Sequence, residues 1–314
     1  MHGCQSLNLA DLAPYLADPE AAAELLEGIR WPDGPVCPHC GEHDRVPYRL
    51  KGRAKRRLWK CAACRKQFTV TVGTIFESSH IPLNKWLLAF YLLCSSKKGM
   101  SAHQLHRSIG VTYKTAWFMF HRIRHAMDQS PFQDRLSGIV EVDETFVGGK
   151  AKNMHKSERK RKGMSKGGGS VDKTIVLGMA ERGGSVRTEV IPDTTRDTLQ
   201  ARVTGAVEPN STIYTDQWPG YNGLAIDYSH ESVDHSSGEY VRGDVTTNGI
   251  EGYFANFKRG IIGVYHHVSP EHLHRYLSEF DFRYNTKNMT DGARTMLALE
   301  KTEGKRLQYR SLES

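Results

Sequence analysis

The chain has little of what a membrane or secreted protein needs. Its longest apolar run, Trp86 to Cys94, covers nine residues, and about 20 are needed to cross a bilayer. The N-terminus carries acidic residues where a secretory leader needs a basic stretch, so the expected location is the cytoplasm. No internal repeat is visible. Low complexity is confined to residues 150–173, with KSERKRKGMSKGGGS at the centre, a stretch expected to form a loop. Cysteine is scarce, at six in 314 residues. In a reducing compartment those thiols do not pair as disulfides, so four of them at regular spacing need another reason.

Length leaves room for two or three domains, and 39% hydrophobic with 25% charged residues is ordinary for a soluble globular chain. The net charge of +8 is unevenly placed. Residues 41–60 hold eight Lys/Arg against Glu42 and Asp44, and residues 150–173 hold nine against Glu158 and Asp172, so two stretches carry all the positive excess. Two local basic patches favour nucleic acid as the partner over two solvated loops.

Cys37-Pro-His-Cys40 and Cys61-Ala-Ala-Cys64 are two CxxC knuckles with twenty residues between them. That is the spacing of a four-thiolate structural zinc site, closed by a β-hairpin. A redox pair needs a single CxxC beside a βαβ unit, and none is present. His39 is a bystander, because four thiolates saturate the ion. Cys94 lies in an apolar helix and reads as core. Arg49, Lys51, Arg53, Lys55, Arg56 and Arg57 crowd the hairpin, either to grip phosphates or simply to keep the module soluble.

Residues 1–30 read as a helical leader, with Asp18 and Pro19 as N-cap and first helical position. Residues 73–128 read as helical. Within them MSAHQLHRSIGVTYKTAWFMFHRIRHAM has helix-turn-helix spacing. Ser101 caps the first helix, Leu105 and Ile109 face inward, Gly110 turns the chain, and Ala116, Phe120 and Ile123 face inward from the second. Thr112, Tyr113 and Lys114 are then presented to a DNA groove. Strands are expected at 138–147, 174–182, 185–193 and 211–216, and helices at 196–207, 248–259 and 270–284. The order β-β-β-α-β-α-α fits a ribonuclease H-like core, though many α/β domains begin similarly.

Three carboxylates are spread along that region: Asp143 in IVEVDETFVGG, Asp216 at the end of STIYTD, and Glu251 in TTNGIEGYFANFKRG. Hard divalent cations want carboxylate oxygens, and paired Mg²⁺ ions suit in-line displacement at phosphorus. Alternation places Glu141 and Asp143 on one strand face and Glu144 on the other. Ile250, Tyr253, Phe254 and Phe257 form the core stripe of the helix, while Asn248, Glu251, Ala255 and Lys258 line a neighbouring stripe. Asp216 also has a plain reading as a surface turn residue, and Glu251 as part of a solvated helix face.

The segments VEVDETFVGG, YTDQWPGY and TTNGIEGYFANFKRGIIGVYHHVSPEHLHRYLSEFDFRYN, together with the zinc ribbon, resemble a family of bacterial insertion-sequence transposases. These are DDE-type enzymes with an N-terminal zinc ribbon and helix-turn-helix. The resemblance implies an α/β, ribonuclease H-like catalytic domain, a catalytic triad of Asp143, Asp216 and Glu251 binding Mg²⁺ (or Mn²⁺), and Lys258 as a DNA contact. It further implies terminal inverted repeats and target DNA as partners, and a homo-oligomer assembled on DNA. His235, before the helix, is either a phosphate contact, a proton carrier or a structural histidine. Arg159, Lys160, Arg161 and Lys162 are expected to clamp the DNA backbone.

The expected layout is a leader (1–30), the ribbon (31–72), the helix-turn-helix segment (73–130), the catalytic domain (131–295) and a C-terminal tail (296–314). Two alternatives remain open at this point: a zinc-ribbon regulator without chemistry, and a nuclease that cuts without joining.

Overall fold

The computed structural model describes residues 8–42, 44–51, 57–128, 135–149, 155–161, 173–234, 237–239 and 241–312, excepting the side chains of residues 158, 159, 161, 310 and 311. The chain divides into two units, 1–128 with 288–314 and 129–287.

The first unit begins with α1 (Leu9–Ala17) and α2 (Pro19–Arg30). As the sequence predicts, Asp18 accepts from the backbone of Glu20 and Ala21, and Pro19 opens the second helix, where its missing N–H costs nothing. A three-stranded antiparallel ribbon follows: β1 (Tyr48–Arg49), β2 (Trp59–Lys60) and β3 (Gln67–Phe68). Such short strands need outside support, and α2 supplies it. Glu27 accepts from the Trp59 indole at 3.0 Å, Arg57 pairs with Glu24 at 2.7 Å, and Trp31 meets Trp59 and Phe68 edge-on.

Residues 73–82, expected to be helical, are turns instead. Gly73 has φ +75°, its N–H goes to Glu77, and Thr74 bonds back to Thr71. Pro82 then disfavours helix in the residue before it, so α3 starts only at Leu83 (Leu83–Ser95). It is followed by α4 (Ala102–Ile109) and α5 (Tyr113–Met127).

The second unit runs β4 (Ile139–Val147), α6 (Lys156–Arg161), β5 (Thr174–Glu181), β6 (Val186–Ile191), α7 (Arg196–Ala206), β7 (Thr212–Asp216), β8 (Ser229–Val233), α8 (Asn248–Gly260) and α9 (Pro270–Asn285). The sheet order is β6-β5-β4-β7-β8. β5 runs antiparallel to both neighbours, while β4, β7 and β8 are parallel. This is the ribonuclease H-like arrangement. β8 was not expected, because its sequence, Ser-His-Glu-Ser-Val, has little apolar content. It forms because β7 offers a parallel edge that pairs five residues. One sheet face buries Val140, Val142, Leu177 and Met179 with Leu199 and Val203 of α7. The other buries Val176, Ala180 and Val186 with Ile250, Phe254 and Phe257 of α8 and Leu277 and Phe280 of α9.

The remaining helix, α10 (Asp291–Glu300), belongs to the first unit. Arg294 donates to the Cys94 carbonyl, capping α3 from 200 residues away in sequence. Arg122 binds the carbonyls of Ile75 and Leu307, and Lys305 binds that of Ala126. The expected boundary at 295 therefore falls at 287, and residues 296–314 are not a trailing tail. The segment packs through Met296, Ala298 and Leu299 as well as through these basic side chains.

Candidate functional site

The four cysteines converge as their spacing predicts. Cys37, Cys40, Cys61 and Cys64 place their sulfurs all within 4.8 Å of one another. Cys37 to Cys64 and Cys40 to Cys61 are each 3.7 Å. A tetrahedron with Zn–S bonds of about 2.3 Å has edges of about 3.8 Å, so the donor set fits Zn²⁺. The Cys64 N–H donates to Cys61 Sγ at 3.4 Å. This bond, with one from Ala63, lowers the Cys61 pKa to about 7, whereas for Cys40 a backbone bond from Glu42 is outweighed by desolvation and the neighbouring thiols, which push it up to about 12.

The helix-turn-helix reading also holds locally. Ser101 accepts from Gln104 N at the start of α4, and Gly110 turns the chain with φ +64°. Leu105, Ile109, Ala116, Phe120 and Ile123 are buried. Thr112 caps α5 by accepting from Thr115 N, while Tyr113 and Lys114 are exposed on its first turn. The Tyr113 ring stacks on His103 at 4.3 Å, which fixes its direction.

In the second unit, β4 and β7 pair in parallel through Glu141 and Tyr214. Asp143 and Asp216 each lie two residues further on, so they stand level on neighbouring strands and share a face. Across the other ladder Asp143 is opposite Gly178. A Cβ at Gly178 would lie 2.5 Å from Phe254 and 2.7 Å from Ile250. Helix α8 therefore rests on the sheet at the level of Asp143, and Glu251 is carried on that helix beside Ile250. Glu251 accepts from the Thr247 hydroxyl at 2.9 Å. Lys258 is exposed two turns along. Partial desolvation lowers its pKa, and the nearby charge of Asp143 opposes that shift. Among the described residues, the cysteines are the one set of three or more ligand groups within 4.8 Å; the three acids share a sheet face and a helix without being drawn that close.

The acids flanking Asp143 have different tasks. Glu141 is buried, accepts from Gly249 N at 2.7 Å and Ile250 N at 3.1 Å, and pairs with Arg182 at 3.0 Å. It neutralises the first turn of α8, whose own N-cap Thr247 makes no side-chain cap. Arg182 also donates to Asp244 O and lies over the Tyr214 ring. Glu144 faces the other way and accepts from the Tyr221 hydroxyl at 2.7 Å. Desolvation raises its pKa to about 7; the Tyr221 bond works against this, and the charges of Asp143 and Asp216 add to it. Strand alternation separates Glu144 from Asp143, whereas the cap on α8 joins partners 108 residues apart, which no local pattern encodes.

Of the basic stretch, Lys160 is exposed on α6, while the side chains of Arg159 and Arg161 and all of Lys162 lie outside the described residues. So does His235, and so do Arg53, Lys55 and Arg56 of the ribbon hairpin. Among the described residues no helix is long and apolar enough to cross a membrane.

Comparison with known proteins agrees with this arrangement. Residues 135–285 match the family model of the ISXO2-like transposase domain, and residues 17–67 match the transposase zinc-ribbon domain. The chain is 34% identical over 270 residues to an uncharacterized protein in transposable element ISH50 of Halobacterium salinarum, covering 83% of this chain and 89% of that protein. It is 30% identical over 105 residues to an uncharacterized transposase-like protein of Haemophilus influenzae, covering 33% of this chain and 84% of that one. With a four-cysteine ribbon followed in sequence by a ribonuclease H-like sheet, the chain belongs to the insertion-sequence transposases that carry an ISXO2-like DDE transposase domain and an N-terminal zinc ribbon.

Proposed function

We propose that this transposase cleaves the ends of its insertion sequence and joins the freed 3′-OH to target DNA, with Asp143, Asp216 and Glu251 as the catalytic acids. The observation that carries the reading is the level placement of Asp143 and Asp216 on adjacent parallel strands, with α8 seated on the same face. Hard oxygen donors of this kind suit Mg²⁺. When bound by the three acids, Mg²⁺ supplies Lewis acidity at the scissile phosphate and lowers the pKa of the attacking water.

In the first step a water oxygen attacks phosphorus and the P–O3′ bond breaks, freeing a 3′-OH at the element's end. In the second, that hydroxyl oxygen attacks a phosphodiester of target DNA and displaces a new 3′-oxygen. No side chain forms a covalent bond to DNA. The residues position the strands and balance charge. Lys258, within the field of Asp143, binds a phosphate next to the acids. Glu141 holds α8, and with it Glu251, against β4. Thr112, Tyr113 and Lys114 read or grip DNA from α5, while the ribbon and the basic residues 159–162 add phosphate contacts. Bringing two DNA ends together calls for more than one copy of the chain.

The test is metal-dependent nicking and strand transfer on DNA carrying the element's own end. Asp143→Asn, Asp216→Asn and Glu251→Gln are each expected to lose both steps by about 100-fold or more while still binding the end. Lys258→Ala is expected to impair rather than abolish. Three active acid variants would overturn the assignment. Wild-type protein that only nicks would favour a nuclease, and one that shifts DNA without cutting would favour a regulator.

A further inference from the structure

Of the chain's five tryptophans, Trp31 and Trp86 are buried, Trp59 and Trp117 are half-buried, and Trp218 is 47% exposed. Trp218 follows Asp216 by two residues and is fixed at several points. Its backbone N–H donates to Asp216 Oδ1 at 3.1 Å, and its indole Nε1 donates to the Thr194 carbonyl at 3.2 Å. Pro219 then opens a short helical turn, Pro219–Tyr221. Gly220 has no room for a side chain: a Cβ there would lie 2.7 Å from Leu199 and 3.0 Å from both Thr194 O and the Trp218 ring. Tyr221 closes the turn by donating to Glu144, the residue after Asp143.

An indole left in solvent forgoes the burial that ordinarily stabilises a large apolar side chain. Here the ring is anchored by its only polar atom, so what remains available is its face. A face accepts a flat, apolar or π-rich group and offers no hydrogen bond. With Asp216 as a catalytic acid, the group brought to this turn is DNA. Bases in a paired duplex are already stacked on one another, and a base exposes its own face only when it leaves the helix.

We propose that Trp218 is a stacking platform for an unpaired nucleobase beside the scissile phosphate, a reading that rests on Asp216 being part of the catalytic site. Stacking there stabilises a locally opened DNA end, so that the phosphodiester next to Asp216 is presented without its neighbouring base pair. Because every base has a π-face, the subsite tolerates different flanking sequences.

The experiment uses the full-length protein and two DNA ends carrying the element's terminal sequence. One is fully paired; the other has mismatched nucleotides on both sides of the cut. Trp218→Ala is expected to slow single-turnover cleavage of the paired end on the order of 10- to 100-fold, the loss of one base–aromatic stack. Trp218→Phe, which keeps a ring, is expected to stay within about 5-fold of wild type. On the mismatched end, where opening is already accomplished, Trp218→Ala is expected to recover most of its rate. Equal loss on both ends would mean that the ring merely braces the Asp216 turn, and no loss on the paired end would mean that it contacts nothing; either overturns the proposal. Asp143→Asn run alongside should be dead on both ends. If Asp143→Asn cuts, the catalytic assignment fails, and the paired-versus-mismatched contrast at Trp218 still reports on stacking separately.

Discussion

Glu141 accepts a 2.7 Å hydrogen bond from the backbone N–H of Gly249, which ties the middle strand of the sheet to the first turn of the helix that carries Glu251. A Cβ at Gly249 would lie 2.6 Å from Glu141 Oε2. Two effects of Gly249→Ala then oppose each other. Helix propensity favours alanine by up to about 1 kcal/mol. Displacing a buried carboxylate from two N–H groups and Arg182 costs about 1–3 kcal/mol. The second is expected to win, so Gly249→Ala should lower the melting temperature. Glu141→Ala should do the same and reduce cleavage, with Glu141→Gln, which still accepts hydrogen bonds, in between. A melting temperature for Gly249→Ala above wild type would show that the cap contributes little.

Gly178→Ala tests the seat of α8 on the sheet. The added methyl meets Phe254 and Ile250 at 2.5–2.7 Å, both on a packed face. Overpacking of this kind costs about 1–3 kcal/mol. Denaturant unfolding should show that loss, and cleavage should fall as Glu251 is lifted away from Asp143. Unchanged stability would mean that the helix can shift without cost.

Glu144→Gln separates neighbours in sequence by strand face. Glu144 is bonded to Tyr221 on the face opposite Asp143, so Glu144→Gln should retain clearly more cleavage than Asp143→Asn, by about 10-fold or more. A dead Glu144→Gln beside an active Asp143→Asn, in the same nicking assay, would reverse the assignment of the first acid.

Cys61→Ser removes one of the four clustered sulfurs. Elemental analysis should find about one zinc per chain in wild-type protein and little in the variant. The ribbon should lose its order, because its two-residue strands rest on the metal and on α2. The second unit, with its own two-faced core, should keep its unfolding transition. Wild-type protein without zinc would refute the site.

Lys114→Ala should weaken binding to DNA and reduce the slope of log affinity against log salt by about 1, the signature of a lost phosphate contact. Replacing Arg159, Lys160, Arg161 and Lys162 with alanine should flatten it further, and evenly across sequences. Tyr113→Ala removes the ring held by His103, and should instead change preference among sequences more than the salt slope. A quadruple variant with wild-type salt dependence would return that stretch to the status of a solvated insertion.

Whatever local chemistry and short periods carry is legible in the residues alone. The CxxC knuckles name their metal because thiolate spacing is a local constraint. Asp18-Pro19 starts α2, and Gly110 ends α4, because caps and left-handed turns depend on a few adjacent residues. Ile250, Tyr253, Phe254 and Phe257 face the sheet because a helix repeats every 3.6 residues. The rest follows from contacts between segments far apart in the chain. β8 exists because β7 presents an edge to it, although its own residues carry little strand signal. α10 belongs to the first unit, where Met296, Ala298 and Leu299 are buried and Arg294 reaches the Cys94 carbonyl. Of three acids within four residues, Glu141 became the cap of α8, Glu144 the partner of Tyr221, and Asp143 the neighbour of Asp216. Identical carboxylates take different roles according to what lies opposite them, and strand pairing across more than seventy residues of chain set those opposites.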